Sequence, residues 1–310
     1  MTMDTGYHDP VLADEVIGLL APRDGGFYLD GTVGGGGHAL RILTVCADCR
    51  LLAVDRDPEA LEEARGALEA HRARVRFLRA RFDEAAADPE VRDRGLDGAL
   101  LDLGVSSRQL DADERGFAFR RGVALDMRMD ADAPGAATDF LGEADEDVLV
   151  QVLRDFGEEP RARRLAREIV KRRATERFST SDQLVAAMTI AYGRAATARD
   201  KARIFQAVRI AVNDELGALE RALPALRDAL VDGGVLVVIA YHSLEDRMVK
   251  NAFREWSRAC VCPPELPMCV CRGAPLGETL TRKPVRPTEQ EIERNPRARS
   301  ARLRAWRRAA

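Results

Sequence analysis

Long apolar runs are missing from this 310-residue chain. No stretch reaches the roughly eighteen consecutive apolar residues of a membrane-spanning helix candidate. Residues 1–6 also lack the basic segment followed by an apolar one that marks an export signal. With 46% hydrophobic and 32% charged residues, the composition is typical of a soluble globular protein. We therefore expect a cytoplasmic protein with no membrane partner.

A strong net charge is missing as well, because the formal value is −3. Lysine is scarce, at 4 of 48 basic residues, and so general a bias favours codon usage over function as its cause. Basic residues concentrate in two runs: 161–177 contains eight against two acids, and 294–310 contains seven arginines and no acid. Either run could bind phosphate groups or could be a solvated helix face.

Cysteine is limited to six residues. A disulfide framework is not expected in a cytosolic protein. Cys46 and Cys49 form one group, and the second group is Cys260, Cys262, Cys269 and Cys271. The second group could supply four thiolates to a zinc ion, but its spacing is not that of a standard zinc ribbon. We favour reduced thiols in a tight loop and assign no residue to a metal.

The most informative stretch is 28–38, in which five glycines occupy seven positions. An apolar run typical of a strand precedes the glycines, and apolar residues at helical spacing follow from Ala39 to Val45. Glycines between a strand and a helix N-terminus let backbone N–H groups approach a ligand, and the helix end favours negative or electron-rich groups. The stretch predicts a nucleotide or cofactor cradle, with a purely structural glycine turn as the alternative.

A second predicted strand, Arg50–Asp55, supports the cradle. Its final carboxylate comes about twenty residues after the turn, the spacing at which an acid reaches a ribose hydroxyl pair. We therefore expect a ligand that contains a ribose.

The order of predicted elements indicates an α/β sheet that is interrupted by helices. Further strands are predicted at 75–78, 97–104 and 233–240, and two late pieces at 278–282 and 301–306 would complete seven strands. The stretch between them, from about 105 to 231, has helical periodicity. We predict a core made of 1–105 and 232–310, and an inserted all-helical domain at 106–231.

Two stretches of dense polar residues, 102–111 and 241–247, follow predicted core strands. Because ligands bind at the carboxyl ends of strands in open α/β sheets, both are candidate site segments. Taken alone, 243–246 is more typical of an ordinary helix N-terminus whose acids complement the helix dipole than of a site.

Together these motifs resemble those of the bacterial 16S ribosomal RNA cytosine-N4 methyltransferase family known as RsmH or MraW. The resemblance runs from one end of the chain to the other, through 8–12, 30–38, 55–58, 102–111, 125–130, 204–210, 242–247 and 295–300. Three mild departures from the family pattern are Ala39, Phe156 and Tyr241, where serine, tyrosine and phenylalanine are usual.

The resemblance implies a class I, Rossmann-like S-adenosylmethionine-dependent methyltransferase whose inserted helical domain recognises the substrate. The implied reaction methylates N4 of a cytosine, position 1402 in the family, in the decoding centre of 16S rRNA within the small ribosomal subunit. It also implies cofactor contacts: the methionine part at Gly36, Gly37 and His38, the ribose at Asp55, the adenine surroundings at Phe82, and the reaction edge at Asp102 and Gln109.

Asp102 is also the catalytic candidate, because its carboxylate could accept a hydrogen from the N4 amine. A target base must leave its stack to be methylated, and Phe117, Phe119 and Tyr241 are candidates to stack on it, with core packing as the alternative for the two phenylalanines. The two basic runs would hold RNA phosphates. A homodimer is left open by the sequence.

Two other functions share parts of this pattern. A nicotinamide-dependent oxidoreductase would use the same cradle and Asp55, but it would not explain the strand ending at Asp102 or the basic insertion. A non-catalytic RNA-binding assembly factor would bind RNA without transferring a methyl group.

Overall fold

A computed structural model describes residues 10–262, 268, 271 and 273–310. The chain forms two compact units: Met1–Gly104 together with Gly217–Ala310, and Val105–Leu216. No helix in the described ranges is both long and apolar enough to span a bilayer. His8, which belongs to a predicted motif, lies outside these ranges.

Seven strands form one sheet in the first unit, as the sequence predicted. The strands are β1 (Phe27–Asp30), β2 (Arg50–Asp55), β3 (Val75–Arg79), β4 (Leu96–Asp102), β5 (Leu230–Ala240), β6 (Gly277–Thr279) and β7 (Arg302–Arg308). Their order is β3-β2-β1-β4-β5-β7-β6. β1 to β5 pair in parallel, whereas β7 is antiparallel to both β5 and β6.

The α-helices are α1 (Ala13–Leu20), α2 (Gly37–Val45), α3 (Pro58–Ala67), α4 (Pro89–Arg94), α5 (Ser107–Asp111), α6 (Ala137–Glu143), α7 (Glu146–Asp155), α8 (Ala162–Arg173), α9 (Ser181–Tyr192), α10 (Ala198–Asn213), α11 (Glu215–Ala229), α12 (Ser243–Trp256) and α13 (Glu289–Arg294). The helix predicted from Pro58 to about residue 73 is shorter, because its last part, Glu69–Arg74, is a 3-10 helix.

Helices cover both faces of the sheet, which explains why its central strands are apolar along their whole length. Side chains alternate along β2, so that Leu51 and Ala53 join one buried cluster and Leu52 and Val54 join another. The first cluster includes residues of α1, α2 and α3, and the second includes residues of α11 and α12.

The boundary predicted after residue 231 differs from the one in the structure, where the first unit resumes at Gly217. The reason is α11, whose Leu219, Leu223 and Leu226 are buried with strand residues of the first unit. Helical periodicity shows that a segment has an apolar face but does not show which core buries that face. The long helical run predicted from 199 to 230 also divides at Asp214, which has a left-handed backbone conformation (φ 50°).

The second unit has its own apolar core, formed by α6 to α10 and the segment that precedes α6. Part of this segment is the family-like stretch 125–130. Asn213 fixes it, since the side chain accepts a hydrogen bond from Met129 N at 2.8 Å and donates one to Met127 O at 2.7 Å. Buried Arg115 donates to the carbonyls of Arg128 and Met129. These motif residues therefore hold the unit together.

Cys46 and Cys49 are joined by a disulfide, contrary to the expectation that the chain has none. Cys46 directly follows α2, and the turn after the helix brings the two Cα atoms to 5.7 Å, within the usual range for a disulfide. Cys260, Cys262 and Cys271 are not part of this disulfide, and Cys269 lies outside the described residues.

Candidate active site

The glycine-rich stretch forms the turn between β1 and α2. Gly36 is the N-cap of α2 and has a φ of 88°, a left-handed conformation that glycine adopts without a Cβ penalty. A Cβ on Gly37 would lie only 3.3 Å from Pro10 Cβ, so Pro10 packs closely against the backbone of Gly37. No side chain in the described ranges caps α2, and its first N–H groups therefore face no side-chain acceptor.

Asp55, at the end of β2, is held in a fixed orientation by two backbone N–H groups. Gly34 N donates to Oδ2 and Asp57 N donates to Oδ1, both at 2.9 Å. Burial raises the pKa of Asp55, and these hydrogen bonds oppose the shift. The backbone of Arg56 adds a third hydrogen bond, so a carboxylate with about four acceptor sites keeps room for at least one ligand hydroxyl group.

Asp30 and His38 place buried polar atoms beside the turn without a hydrogen-bond partner in the described structure. Asp30 Oδ1 accepts a hydrogen bond from Thr32 N at 3.2 Å, but Oδ2 and both ring nitrogens of His38 accept or donate none. Burial raises the pKa of Asp30 to about 7. Because buried polar groups are normally paired, these atoms indicate a place where a polar ligand belongs.

Asp102, at the end of β4, lies close to side chains of the glycine turn, of α2 and of the segment after β5. Its N–H donates to Thr32 Oγ1 at 2.6 Å, and its Oδ1 accepts a hydrogen bond from the Tyr241 hydroxyl at 2.9 Å. Its Oδ2 lies 3.6 Å from His38 Nε2. Burial, followed by the charge of Asp102, raises the pKa of Tyr241 well above its ordinary value, so Tyr241 stays a hydrogen-bond donor.

The segment 241–245 connects β5 to α12 and fixes Tyr241. Glu245 Oε2 accepts hydrogen bonds from Tyr241 N at 2.9 Å and His242 N at 3.2 Å, and Glu245 N donates to His242 Nδ1 at 3.4 Å. The helix N-terminus that the sequence offered as the simpler interpretation is therefore present. It also orients the Tyr241 side chain that contacts Asp102.

Most of the predicted cofactor residues lie around the β1–α2 turn and the neighbouring strand ends. Phe82 follows β3, and its Cβ would lie 3.2 Å from a Cβ on Gly31. Gln109 belongs to the second unit, where it is buried and caps α5: its Oε1 accepts a hydrogen bond from Ser106 N at 3.0 Å. Gly36, Gly37, His38, Asp55 and Asp102 all belong to the first unit.

The candidate stacking residues differ in exposure. Phe117 is buried in the core of the second unit, as expected if it packs in the core rather than stacking on a base. Phe119 is 40% exposed and lies edge-on to Phe205, with ring centroids 5.8 Å apart. Tyr241 is half-buried with its hydroxyl on Asp102.

Sequence reasoning missed two features of this site. It did not assign a role to Asp30, although a carboxylate at the end of β1 is a recognisable signal. It also missed the Tyr241–Asp102 hydrogen bond, which joins residues 139 positions apart and has no local signal.

The basic runs are only partly available to a ligand. In β7, Arg302 and Arg304 pair with Asp246, Arg307 pairs with Glu278, and Arg308 donates to the carbonyls of residues 227, 228 and 230. Most of the C-terminal arginines therefore serve the fold of the first unit. The run 161–177 includes structural members too, such as Arg173, which donates to the carbonyls of Leu141 and Ala144.

The sheet order, the glycine turn after β1 and the acids that end β1, β2 and β4 define a class I S-adenosylmethionine-dependent methyltransferase. The chain belongs to the MraW methylase family, which it matches over residues 5–309. Membership of a methylase family removes the nicotinamide-dependent alternative.

Curated relatives cover nearly the whole chain. The ribosomal RNA small subunit methyltransferase H of Gemmatimonas aurantiaca is 55% identical over 305 residues, which is 98% of this chain and 96% of that protein. The protein of the same name from Heliobacterium modesticaldum is 47% identical over 307 residues, 96% of this chain and 97% of that protein. A solved putative rRNA methylase from Clostridium thermocellum is 9% identical, with a TM-score of 0.44 and coverage of 97% and 99%, too distant to support an inference.

Proposed function

We propose that this protein transfers a methyl group from S-adenosylmethionine to the N4 amine of a cytosine in the 16S rRNA of the small ribosomal subunit. The equivalent of position 1402 in the decoding centre is the target that the family resemblance implies. The observation that carries the proposal is the arrangement at Asp102, where one carboxylate oxygen is held by Tyr241 and the other faces His38 beside the glycine turn.

The residues of the first unit fit the proposed cofactor. The N-terminus of α2 at Gly37 offers N–H groups without a side-chain cap to the carboxylate of the methionine part, while the Gly36 N–H donates to Val33 O and shapes the turn. Asp55 offers two fixed oxygens to ribose hydroxyls, and Asp30 and His38 offer buried polar atoms that lack partners in the described structure. When bound, S-adenosylmethionine supplies an electrophilic methyl group on a positively charged sulfur.

The acceptor nitrogen needs help, since the lone pair of a cytosine N4 amine is delocalised into the ring. In the proposed role, Asp102 Oδ2 accepts a hydrogen bond from one N4 hydrogen, which orients the nitrogen and stabilises the positive charge that develops on it. Tyr241 holds Oδ1 so that Oδ2 keeps its direction. N4 loses one of its two protons, with Asp102 Oδ2 as the first acceptor.

The RNA phosphates are proposed to bind an exposed stripe on α8, defined here as Arg163, Arg164, Arg167 and Lys171. Their spacing places them on adjoining positions of one helix face. Arg167 pairs with Glu146, but in the described part of the chain Arg163, Arg164 and Lys171 make no ion pair. Four exposed positive charges on one helix favour a polyanion.

The test is transfer of labelled methyl from S-adenosylmethionine to unmethylated small subunits, followed by nucleoside analysis. Label in N4-methylcytidine is the expected result, with Asp102→Asn reducing turnover by roughly a hundredfold. Exposed Asp147 supplies the control, Asp147→Asn, whose turnover should match that of the unchanged protein. Cofactor binding is measured by calorimetry on each variant.

Three outcomes would contradict the proposal. Full turnover in Asp102→Asn with weaker cofactor binding would remove Asp102 from the acceptor role. Label in another nucleoside would change the substrate, and RNA binding without label would favour the assembly-factor function.

Naked 16S rRNA, assayed in parallel, tests the assembled subunit as the substrate, and sedimentation of the purified protein tests the homodimer. Because the proposed substrate is ribosomal, we propose a cytoplasmic location as well.

A further inference from the structure

The loop between α12 and β6 brings three cysteines together. The sulfur atoms of Cys260, Cys262 and Cys271 all lie within 4.8 Å of one another. Neither the family match nor the proposed reaction uses these residues. The cluster contains members of both Cys-x-Cys pairs of the sequence; the remaining cysteine of these pairs, Cys269, lies outside the described residues.

The spacing of the sulfurs matches the edge of a zinc–thiolate tetrahedron. With Zn–S bonds of about 2.3 Å, two sulfurs of a tetrahedral site lie about 3.8 Å apart. Cys260 Sγ and Cys271 Sγ are 3.8 Å apart. The third sulfur, that of Cys262, lies within 4.8 Å of both, so small side-chain movements would bring all three onto a single soft metal ion.

A backbone N–H group supports the charged form of the cluster. Val261 N donates to Cys271 Sγ at 3.4 Å. A hydrogen bond of this kind stabilises a thiolate, and such bonds around the ligand sulfurs orient them and tune a metal site. Val261 is the middle residue of the first Cys-x-Cys pair, so this bond links that pair to Cys271.

The base of the loop is already closed by the fold. Leu276 N donates to Trp256 O at 2.8 Å, and Ser257 Oγ lies 3.0 Å from Thr279 Oγ1 and accepts a hydrogen bond from Trp306 Nε1 at 3.2 Å. The cysteines lie inside this closed loop, so a metal would cross-link its two arms. Such a cross-link stabilises a loop by removing conformational entropy from the open chain.

We propose, independently of the function above, that Cys260, Cys262 and Cys271 bind a structural zinc ion that fixes the loop between α12 and β6. All-sulfur ligand sets favour zinc or an iron–sulfur cluster among the common metals. Zinc binding releases the protons of the three thiols and needs no oxidant or reductant.

The first experiment measures metals in the full-length protein, purified without chelators from cells supplied with zinc and iron. Plasma mass spectrometry should find about one zinc per chain and no stoichiometric iron. Zinc should fall by at least about tenfold in Cys260→Ser, Cys262→Ser and Cys271→Ser. The matched control replaces the disulfide pair, Cys46→Ser with Cys49→Ser, and should keep its zinc.

The second experiment uses the unchanged protein, because a serine variant could lose zinc by failing to fold. A mercurial thiol reagent should release zinc to a chromogenic chelator, and cobalt(II) in place of zinc should give the near-ultraviolet sulfur-to-cobalt charge-transfer bands of a thiolate site. Zinc removal should also accelerate proteolysis within the loop severalfold.

Several results would overturn the proposal. One is protein that neither retains zinc nor gives cobalt–thiolate bands on reconstitution. Stoichiometric iron would make the site an iron–sulfur site, and zinc retained in all three serine variants would place the metal elsewhere. A Cys260–Cys271 disulfide in peptides from natively alkylated protein would give the sulfur contact another explanation.

Discussion

Single residues at the ends of β1, β4 and β5 decide what the site can do. The proposed acceptor role of Asp102 rests on the fact that the Tyr241 hydroxyl occupies only one of its oxygens. Asp30 is unusual because it is buried with one oxygen that has no hydrogen-bond partner in the described structure. Both residues lead to testable predictions, one about turnover and one about stability.

Removing the Tyr241 hydroxyl should slow methyl transfer without abolishing cofactor binding. Tyr241→Phe deletes the donor to Asp102 Oδ1, a hydrogen bond to a charged group worth about 1.5–3 kcal/mol, so we expect turnover to fall by roughly ten- to a hundredfold. Single-turnover rates and calorimetric cofactor binding measure the two effects. Phenylalanine is the usual family residue here, so an unchanged rate would mean that Tyr241 is dispensable.

The matched control is Tyr192→Phe, which removes a hydroxyl that donates to Glu159 Oε2 in the second unit. This variant should lose stability but keep the single-turnover rate, since its hydroxyl has no contact with Asp102. Equal rate losses in both variants would indicate a general effect of stability.

The buried Asp30 should make stability depend on pH. Its pKa is about 7 in the folded chain against an ordinary 3.8, so the folded state keeps a proton that the unfolded state loses. The stabilising contribution is therefore complete below about pH 4 and is lost as the pH rises through about 7. Urea unfolding of the unchanged protein should give a free energy that falls between about pH 4 and about pH 7.

Asp30→Asn cannot titrate, and its unfolding free energy should vary less over the same range. His38, Asp102 and Asp55 also act on Asp30 and remain in the variant, which isolates the Asp30 proton. An equally steep pH dependence in Asp30→Asn would assign the effect to those neighbours. Asp147→Asn, at an exposed site, should leave the slope of the unchanged protein.

At the scale of elements, the family-like segment before α6 is held in shape by backbone geometry. Gly116 has a φ of 74°, and a Cβ there would lie 2.5 Å from both Ala124 O and Asp126 N. Gly116→Ala should therefore destabilise the second unit by roughly 2–5 kcal/mol, through strain and a clash that flexible side chains cannot relieve. Chemical unfolding followed by circular dichroism measures the loss.

Gly142→Ala is the comparison within the same unit. Gly142 lies in α6, and a Cβ there would meet nothing within 4 Å. Alanine should stabilise the helix by about 0.5–1 kcal/mol. If both variants unfolded alike, the close approach at Gly116 would not be the cause.

At the scale of the whole molecule, charge is used in two ways that the sequence does not distinguish. The arginines of β7 are largely engaged by Asp246, Glu278 and backbone carbonyls. The α8 stripe is exposed and largely unpaired within the described ranges. RNA affinity should therefore depend on the stripe rather than on the arginine-rich C-terminus.

Replacing Arg163, Arg164 and Lys171 together by alanine should weaken RNA binding and its dependence on salt. Each lost phosphate contact removes roughly 0.7 from the log–log salt slope on single strands, so the slope should fall by about 2. Fluorescence anisotropy across a salt series measures it. A triple replacement of the exposed arginines Arg65, Arg72 and Arg92 removes the same charge and should keep the original slope. Equal slopes in the two triple variants would make the stripe ordinary solvated surface.

Local patterns by themselves determined most of the first unit. Apolar runs gave the seven strands, the glycines gave the turn before α2, and the strand ends gave Asp55 and Asp102. These features are local because hydrophobic periodicity and glycine turns depend on residues only a few positions apart. The motif resemblance then identified the family, which the comparison over residues 5–309 confirmed.

Only the tertiary structure decided which partner each residue takes. It buried Phe117, assigned α11 to the first unit, paired the β7 arginines, and brought Tyr241 to Asp102. It also gathered three cysteines from the two ends of one loop. A periodic pattern specifies that a face is apolar or charged, but contacts between distant residues depend on how the elements pack.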